Sequence, residues 1–585
     1  MRDSYRLRVL IAGLAVACLA VHLFAVHRWF AEPFAVWAGS DEAYITAFAH
    51  RMIQGRWLPY VDAVSHRGPM LYWIAAIIES IGGAVGTGSG WGTMRAATLI
   101  FAQANVWLVF LVGVAFRRPV AGFLGAATFV FATAYSMDPN DGIGFNGEIV
   151  ATPFVLLGAV LTTFALRDLR SGVYAISRSQ IWMAAASGFV VSIGGLCKQP
   201  SFLHLVPLFL WWLAAGIHAP NTRCETAEAR ASKARRLCSS LLPAVAFVAG
   251  ALTPIAAVLV CFASVGAWDP FVYYALTYNH AVYMGPIGMG YAIESTYVAL
   301  RVRGPYLLIT VISVAWAWSR FASKRDGFGV TSLSKAYVLT AVTTTTVLHM
   351  VFALVAASGT FRFWDHYYIT ALPWIGLLFG VLFEDSFLAF NPRGPNRAVR
   401  STIVFVAAIL SISFVLRHVT TLWLTGQRLL GRYYGNPTEE PIARHIQAHT
   451  TPTQSVFVWG FSPEIYTNAN RRPATRYVFT SFVAGTIPWL SWLTFEQEQR
   501  FVVPGSREIL LGELESEQPP IIVDVANSLQ GRSIRHVPEL AAYVERHYCY
   551  RDTIFGGTNK IGDIYHRRSN DDPCGRQPPP LFKPK

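Results

Sequence analysis

The sequence predicts a polytopic α-helical membrane protein that ends in a small α/β domain. Of its 585 residues, 53% are hydrophobic and 14% are charged, and the mean hydropathy is +0.38. Soluble proteins average roughly 25% charged residues. The apolar residues form runs long enough to cross a hydrocarbon core of about 30 Å, and only the last part of the chain is polar. A soluble protein of this length is therefore excluded.

About eleven apolar runs predict transmembrane helices. Arg2, Arg6 and Arg8 precede the first run, and no A-x-A cleavage site follows before Trp37, so we expect an anchor rather than a signal peptide. The runs lie near residues 9–26, 95–116, 119–137, 148–166, 181–197, 202–218, 239–263, 303–319, 336–356, 371–390 and 401–423.

Loop charge predicts how these helices are oriented, because Lys and Arg in short loops favour the cytoplasm. Basic connectors alternate with less basic ones, provided that the apolar stretch from Met70 to Val85 does not cross. Glu79 inside this stretch and Gly82-Gly83 behind it favour a helix lying at the outer membrane surface. We therefore expect a multi-pass protein of the inner (plasma) membrane. Its first loop (28–94) and tail would lie on the periplasmic or extracellular side, and residues 219–238 in the cytoplasm.

The polar tail alternates strand-like and helix-like segments, which is typical of a small α/β domain. The chain thus divides into a transmembrane domain at residues 1–425 and a periplasmic domain at 426–585, whose Pro-rich end at 577–585 we expect to be disordered. The strand-like runs are Ser455 to Trp459, Pro520 to Val525 and Ile561 to Tyr565, and the helix-like runs are Ser506 to Glu517 and Val537 to His547.

Two of the seven cysteines, Cys549 and Cys574, fall in this tail. An oxidising compartment favours their pairing, and the strand-like run between them ends near Tyr565, which would bring the two together. We expect one disulfide that fastens the Pro-rich end to the domain. The alternative is two unpaired thiols, because the sequence gives no Cα separation.

The first outward loop carries the candidate chemistry. Ser40 is a predicted N-cap, with Asp41 and Glu42 in the first turn of a helix that runs to about Gln54. One interpretation is a favourable interaction of the two acids with the helix dipole, worth about 0.3–1 kcal/mol each. The other is that a partly desolvated carboxylate at the lip of a cavity acts as a general base on a hydroxyl.

The order of several motifs resembles a known superfamily. Asp41-Glu42 follows the first span, and Tyr60-x-Asp62 and His66-Arg67-Gly68-Pro69 come after it. The later motifs are Asn146-Gly147-Glu148, Lys198-Gln199-Pro200, His366-Tyr367-Tyr368 and Val458-Trp459-Gly460-x-x-Pro463-x-Ile465-Tyr466. Together they look like the GT-C superfamily, and are most similar to the branch of protein O-mannosyltransferases, the aminoarabinose transferase of lipid A and RgtA/B/C/D-like enzymes.

This resemblance implies a glycosyltransferase with a GT-C fold. Such enzymes transfer one sugar from a polyprenyl-phosphate donor to a hydroxyl of a lipid, polysaccharide or protein acceptor, here by a single inverting displacement. Asp41 matches the catalytic carboxylate and Glu42 another acidic position of the family, so both are candidate catalytic residues. Arg67 stands where the family usually has Lys, and Gly68 replaces a Pro. The candidate substrate-binding residues are Arg67, Glu148, His66, Lys198, Arg362, His366, Tyr367, Tyr60 and Asp62.

Simpler interpretations remain open for some of these residues. Glu148 also suits a helix N-terminus, and Lys198 and Arg362 suit snorkelling to lipid headgroups. The aromatic loop from Trp268 to Tyr291 is either a mobile cover over the cavity or an interfacial aromatic belt.

The charge distribution and the histidine spacing bear on other functions and ligands. The net charge of +14 comes from basic residues between apolar runs, so it indicates membrane topology and excludes nucleic acid as a partner. His66, His280 and His366 lie on three loops without ligand spacing, so we expect no metal and no other cofactor. The alternatives to an enzyme are a transporter or lipid flippase, and a non-catalytic membrane assembly subunit.

Overall fold

The structure is a computed structural model. It describes residues 9–20, 40–84, 91–137, 139–142, 144–166, 177–218, 229–283, 289–300, 330–359, 361–384, 440–487, 490, 493–556, 559–569 and 574. The predicted spans at 303–319 and 401–423, the proposed domain boundary near 426 and the Pro-rich end lie outside these residues.

The described chain is helical up to residue 384, and its helices follow the predicted apolar runs. Two runs contain a change of helix type: a π-helical turn, Ala132–Ser136, continues the run that begins at Pro119, and a 3-10 helix, Gln199–His204, opens the run that ends at His218. The helices are α1 (Val9–Ala20), α2 (Ser40–Ile53), α3 (Pro69–Ala84), α4 (Trp91–Ala115), α5 (Pro119–Phe131), α6 (Pro139–Gly142), α7 (Gly147–Leu166), α8 (Arg178–Cys197), α9 (Leu205–His218), α10 (Ala229–Ser264), α11 (Trp268–Val272), α12 (Val330–Ser358) and α13 (Leu372–Phe383).

Four of the described helices are long and apolar enough to cross a membrane. They are α7 and α8 over their whole length, α4 over Gly92–Ala115 and α10 over Leu241–Ser264. Shorter apolar helices include α1, α3 and α5. The chain is thus mostly helical with several apolar helices, as predicted.

Small residues allow α8 and α10 to pack at close range. A Cβ built on Gly250 would lie 1.9 Å from the carbonyl oxygen of Ala185, and one on Gly188 would lie 2.1 Å from that of Phe247. No side chain fits at either distance, so only glycine allows this contact. Close helix approach through small residues is how helices associate where no water drives them together.

The first loop forms two short helices, α2 and α3, which are packed against each other. α2 begins at Ser40, one residue before the start that an N-cap at Ser40 implies. α3 coincides with the apolar stretch from Met70 to Val85, which the charge pattern predicted not to cross the membrane. The imidazole of His50 on α2 lies 2.9 Å from the carboxylate of Glu79 on α3, and the rings of Phe48 and Tyr72 stack at 3.7 Å. The polar residue inside the apolar stretch therefore binds the neighbouring helix.

The segment from Trp268 is helical rather than a loop, which corrects the prediction for this stretch. α11 is followed by a π-helix, Tyr273–Tyr283. Its Tyr278 is buried and packs on Phe482 of the tail, with ring centroids 4.8 Å apart. The buried aromatic residues Phe271, Tyr274 and Tyr278 recur every three to four positions, which is the spacing that one face of a helix provides.

The tail contains a four-stranded sheet in the order β1-β2-β4-β3. β1 and β2 are parallel, whereas β4 is antiparallel to both β2 and β3. The three predicted strands are present, whereas β3 was not predicted. The strands are β1 (Phe457–Trp459), β2 (Ile521–Asp524), β3 (Tyr548–Gly556) and β4 (Asn559–Arg567), and the helices are α14 (Glu440–His449), α15 (Glu464–Ala469), α16 (Ser481–Ala484), α17 (Phe495–Gln499), α18 (Ser506–Glu517) and α19 (Pro538–His547).

The predicted disulfide between Cys549 and Cys574 is confirmed, with Cα atoms 5.1 Å apart. Cys549 lies on β3, at the edge of the sheet. The bond therefore holds position 574 against the edge strand.

The tail packs directly on the first loop. Arg51 at the end of α2 pairs with Glu517 of α18 at 2.9 Å, and the Val64 amide donates to the carbonyl of Arg476 at 3.0 Å. The ring of Tyr44 stacks on Phe479 at 4.0 Å. The loop and the tail must therefore lie on the same side of a membrane.

Candidate functional site

A cavity of about 310 Å³ lies where the first loop meets the ends of three helices. Its walls come from the loop before α3, the start of α7, the turn after α8, the π-helix after α11, the end of α12 and the segment before α13. Five of the residues that line it were predicted as site residues: His66, Arg67, Glu148, Lys198 and Tyr367. The other lining residues are Gln199, Pro200, Ser201, Asn279, Ala356, Ala357 and Thr370. The structure thus brings together motifs that are separated by up to three hundred residues.

Asp41 adjoins this cavity through Arg67. The guanidinium of Arg67 donates to Asp41 Oδ1, and His366 Nε2 lies 3.9 Å from Asp41 Oδ2. Burial alone would raise the pKa of Asp41, but the positive charges of Arg67, His366 and Lys198 lower it to about 2. Asp41 is therefore ionised at neutral pH. Its Oδ2 accepts no hydrogen bond from the part of the chain that the structure describes.

Glu148 and Lys198 form the second charged pair of the site. The ammonium of Lys198 lies 2.8 Å from Glu148 Oε1 and 4.9 Å from the ring centroid of Tyr367. Glu148 occupies the first turn of α7, where the helix dipole favours a carboxylate. Among the described residues no hydrogen-bond donor reaches its Oε2. The site therefore contains two buried carboxylate oxygens, Asp41 Oδ2 and Glu148 Oε2, that could accept hydrogen bonds from a ligand.

His366 joins the acids of the site to a third acid, Asp141. Its Nδ1 lies 2.7 Å from Asp141 Oδ1. Burial alone would lower the pKa of His366, but the carboxylates of Glu148, Asp141 and Asp41 raise it above its ordinary value. Asp141 was not predicted as a site residue. The available signal was an acid in the predicted outward loop 138–147, a few residues before Glu148.

The position of Arg67 is fixed by its neighbours in the loop. Tyr60, whose φ of 69° is left-handed, donates its hydroxyl to the Arg67 carbonyl at 2.6 Å. A Cβ on Gly68 would lie 2.0 Å from the carbonyl oxygen of Leu196 near the end of α8. The absence of a side chain on Gly68 thus lets the loop touch α8, which places Arg67 beside Lys198.

His66 lies on the same wall and is neutral. Burial, and then the charges of Arg67, Lys198 and Arg362, hold its pKa well below the ordinary value. Arg362 is itself buried, with its guanidinium 5.7 Å from the ring centroid of Trp364. The cations Arg67 and Lys198 line the cavity, and Arg362 lies close enough to His66 for its charge to lower the pKa of that residue. This arrangement favours an anionic ligand.

The structure places Glu42 and Asp62 away from this cluster. Glu42 is 1% exposed, and its carboxylate accepts from Arg95 at 2.9 Å and from the Phe145 amide at 3.1 Å. Asp62 accepts from the amides of Arg56 and Leu58. Glu42 thus joins α2 to α4, and Asp62 closes the tight turn in the loop.

The helical architecture is the GT-C fold, as comparison with solved structures shows. The crystal structure of ArnT from Cupriavidus metallidurans bound to undecaprenyl phosphate matches 96% of this chain and 98% of that chain, with a TM-score of 0.51 and 12% identity. This match shows the fold that the resemblance predicted.

Two further structures are similar. ArnT in the apo state matches over 95% of this chain and 97% of its own, with a TM-score of 0.47 and 13% identity. The Archaeoglobus fulgidus oligosaccharyltransferase AglB, in complex with an inhibitory peptide and a dolichol-phosphate, matches over 96% and 75%, with a TM-score of 0.48 and 12% identity. No protein-family model and no curated protein sequence matches the chain.

Proposed function

We propose that the chain transfers a single sugar from a polyprenyl-phosphate donor to a hydroxyl group of a lipid, polysaccharide or protein acceptor. The reaction would take place on the outer face of the inner membrane, with the tail as a periplasmic α/β domain. The single observation that carries this proposal is the cavity lined by Arg67 and Lys198. Beside these cations, one buried oxygen each of Asp41 and Glu148 has no hydrogen-bond donor among the described residues. The structure of ArnT, whose fold this chain shares, contains bound undecaprenyl phosphate.

The charges of the site match the change in charge during such a transfer. The acceptor oxygen attacks the anomeric carbon, and the bond from that carbon to the phosphate oxygen breaks with its electron pair on the phosphate. A phosphodiester with one negative charge becomes a phosphomonoester with up to two. Cations at the cavity wall therefore stabilise the transition state more than the bound donor, which is the condition for catalysis. Arg67 and Lys198 are the two that line the cavity.

The acceptor proton needs a base, and we assign this role to Asp41. A carboxylate with a pKa of about 2 is a weak base while Arg67 is bound to it, because an effective base has a pKa near the working pH. A phosphate group in the cavity competes for Arg67 and thereby raises the pKa of Asp41. Donor binding thus makes Asp41 a stronger base. Glu148 is assigned to the sugar or the acceptor.

The buried contacts of Glu42 argue for a structural role, so we assign catalysis to Asp41 alone of the adjacent pair. Glu42 keeps both oxygens on Arg95 and the Phe145 amide, which leaves it no free oxygen for a reacting group.

A deletion strain tests the proposal. Mass spectrometry of envelope glycolipids and glycoproteins would show one missing hexose, pentose or hexuronic acid mass relative to the parent. We expect wild type to restore it and Asp41→Asn to fall about 10²–10⁴-fold in transfer rate, as for loss of a general base. Donor binding should survive in Asp41→Asn and weaken in Arg67→Ala.

Asp269→Asn is the matched control, since Asp269 is an exposed acid in the first turn of another helix. It should transfer like wild type at equal membrane level. Transfer by Asp41→Asn within a few-fold of wild type would remove Asp41 from the site. An unchanged glycan profile in the deletion strain would instead favour a transporter or an assembly subunit.

A further inference from the structure

Three histidines of the tail converge away from the cavity. His445 and His449 lie one helical turn apart on α14, so that their side chains share one face. His566 lies on β4, paired with Cys549 of β3. One ring nitrogen from each of the three lies within 4.8 Å of the others, and the Nε2 atoms of His445 and His566 are 2.8 Å apart.

The geometry points to a divalent metal site made by His445, His449 and His566, and we propose zinc as its occupant. Zinc binds neutral imidazole nitrogens at about 2.0–2.1 Å in a tetrahedral arrangement, which sets ligand nitrogens about 3.3 Å apart. The Nε2 atoms of His445 and His566 lie closer together than this value, and all three nitrogens lie within 4.8 Å of one another, so small side-chain rotations bring them into place. Imidazole ligands also suit copper and nickel, which makes these ions competitors in the test.

The hydrogen bond of His449 prepares this residue as a ligand. Its Nδ1 lies 2.8 Å from the carbonyl oxygen of His445. A carbonyl only accepts, so Nδ1 carries the proton and Nε2 keeps its lone pair. A backbone bond that fixes the tautomer in this way is characteristic of metal-binding histidines. His449 is also exposed, which leaves a path for an ion to enter and a fourth position for water or another ligand.

The metal would connect the first described helix of the tail to its last strand. His445 and His566 are 121 residues apart in the chain. An ion held by both, and bound only by the folded protein, stabilises that fold by mass action. The proposal is therefore a structural zinc site, separate from sugar transfer. The competing explanation is a plain hydrogen bond between two neutral imidazoles.

The test uses the full chain, purified in detergent through a tag without histidine and stripped with a chelator. The probe is Zn²⁺ alone, measured by elemental analysis after desalting, with Co²⁺ absorption as a second readout. We expect one zinc per chain and a higher thermal midpoint with zinc than without. His449→Gln and His566→Gln should each weaken binding at least tenfold and lose the thermal shift. His547→Gln, a half-buried histidine of the same region, is the control.

His449 is exposed, so its variant should fold even if His566→Gln does not. Zinc binding that is equal in His449→Gln and wild type would overturn the proposal. So would the absence of retained zinc in wild type, or an equal loss in His547→Gln. Imidazole sites generally bind copper more tightly than zinc, so only copper binding without any zinc binding would keep the site but reject zinc as its occupant.

Discussion

At the scale of single residues, the adjacent acids Asp41 and Glu42 show how far neighbours in sequence can differ in environment. The side chain of Asp41 is 22% exposed beside the cavity, whereas that of Glu42 is 1% exposed. Successive residues of a helix point about 100° apart, so the two carboxylates meet different partners. The sequence predicted an acidic pair in the first turn of α2 but could not tell which acid reaches the cavity.

Glu42→Gln should destabilise the protein without removing its chemistry. Breaking a buried ion pair leaves an uncompensated charge on Arg95 and costs about 3–5 kcal/mol. We expect a lower thermal midpoint and less folded protein, but near-normal transfer per folded molecule. Asp41→Asn should show the reverse pattern. Folded Glu42→Gln protein that transfers no sugar would contradict the structural assignment.

Gly68→Ala should disturb the site through the backbone. The added methyl group meets the Leu196 carbonyl at 2.0 Å, so the loop must move away from α8. Overpacking of this kind costs about 1–3 kcal/mol, and Arg67 moves with the loop. We expect weaker donor binding and a lower thermal midpoint. Gly83→Ala, where a Cβ meets nothing within 4 Å, is the control and should bind donor like wild type.

At the scale of elements, the end of β2 contains a buried acid, Asp524. It accepts from the Ser533 hydroxyl and, at 3.1 Å, from the Ile534 amide. Burial raises its pKa from 3.8 to about 7. The strand itself was predictable as an apolar run. The burial of its last residue was not, because it depends on a segment that folds back from ten residues later.

The raised pKa of Asp524 makes the stability of the protein depend on pH. Between pH 4 and 7 the folded chain binds a proton at Asp524 that the unfolded chain has released, so the free energy of unfolding falls as the pH rises through this window. It should level off above pH 7. Asp524→Asn should flatten this slope in thermal melts between pH 4 and 8, while the exposed Asp552→Asn should keep it. Equal slopes in wild type and Asp524→Asn would contradict the shift.

The helices and most strands were predictable because apolar runs and polarity alternation are local features of sequence. β3 was missed because Tyr548–Gly556 contains Arg551 and Asp552 in mid-strand, as an edge strand allows. The H-x-x-x-H spacing of His445 and His449 was readable, yet His566 joins them only through the pairing of β4 in the sheet. Asp141 likewise reaches His366 across 225 residues. Such long-range contacts follow from the fold and have no local signal.

At the scale of the whole molecule, the contacts between the first loop and the tail predict the topology. Because Arg51 binds Glu517 and Val64 binds Arg476, both parts must face the same compartment. We expect an impermeant maleimide to label Gln530→Cys in intact cells and not Glu228→Cys, with the five cysteines outside the tail replaced. Label at position 228, or none at 530 in a folded protein, would contradict the orientation.

The contact between Arg51 and Glu517 also sets an order of events during synthesis. The two residues are 466 positions apart, and ribosomes add about 5–20 residues per second, so the loop waits roughly 25–90 s for its partner. Throughout this interval the ring of Tyr44 lacks Phe479, and the wall that holds Arg67 is unsupported. A nascent or prematurely terminated chain therefore inserts its helices without a finished site. The site can act only after the part of the tail that contains Phe479 and Glu517 has been synthesised and has folded.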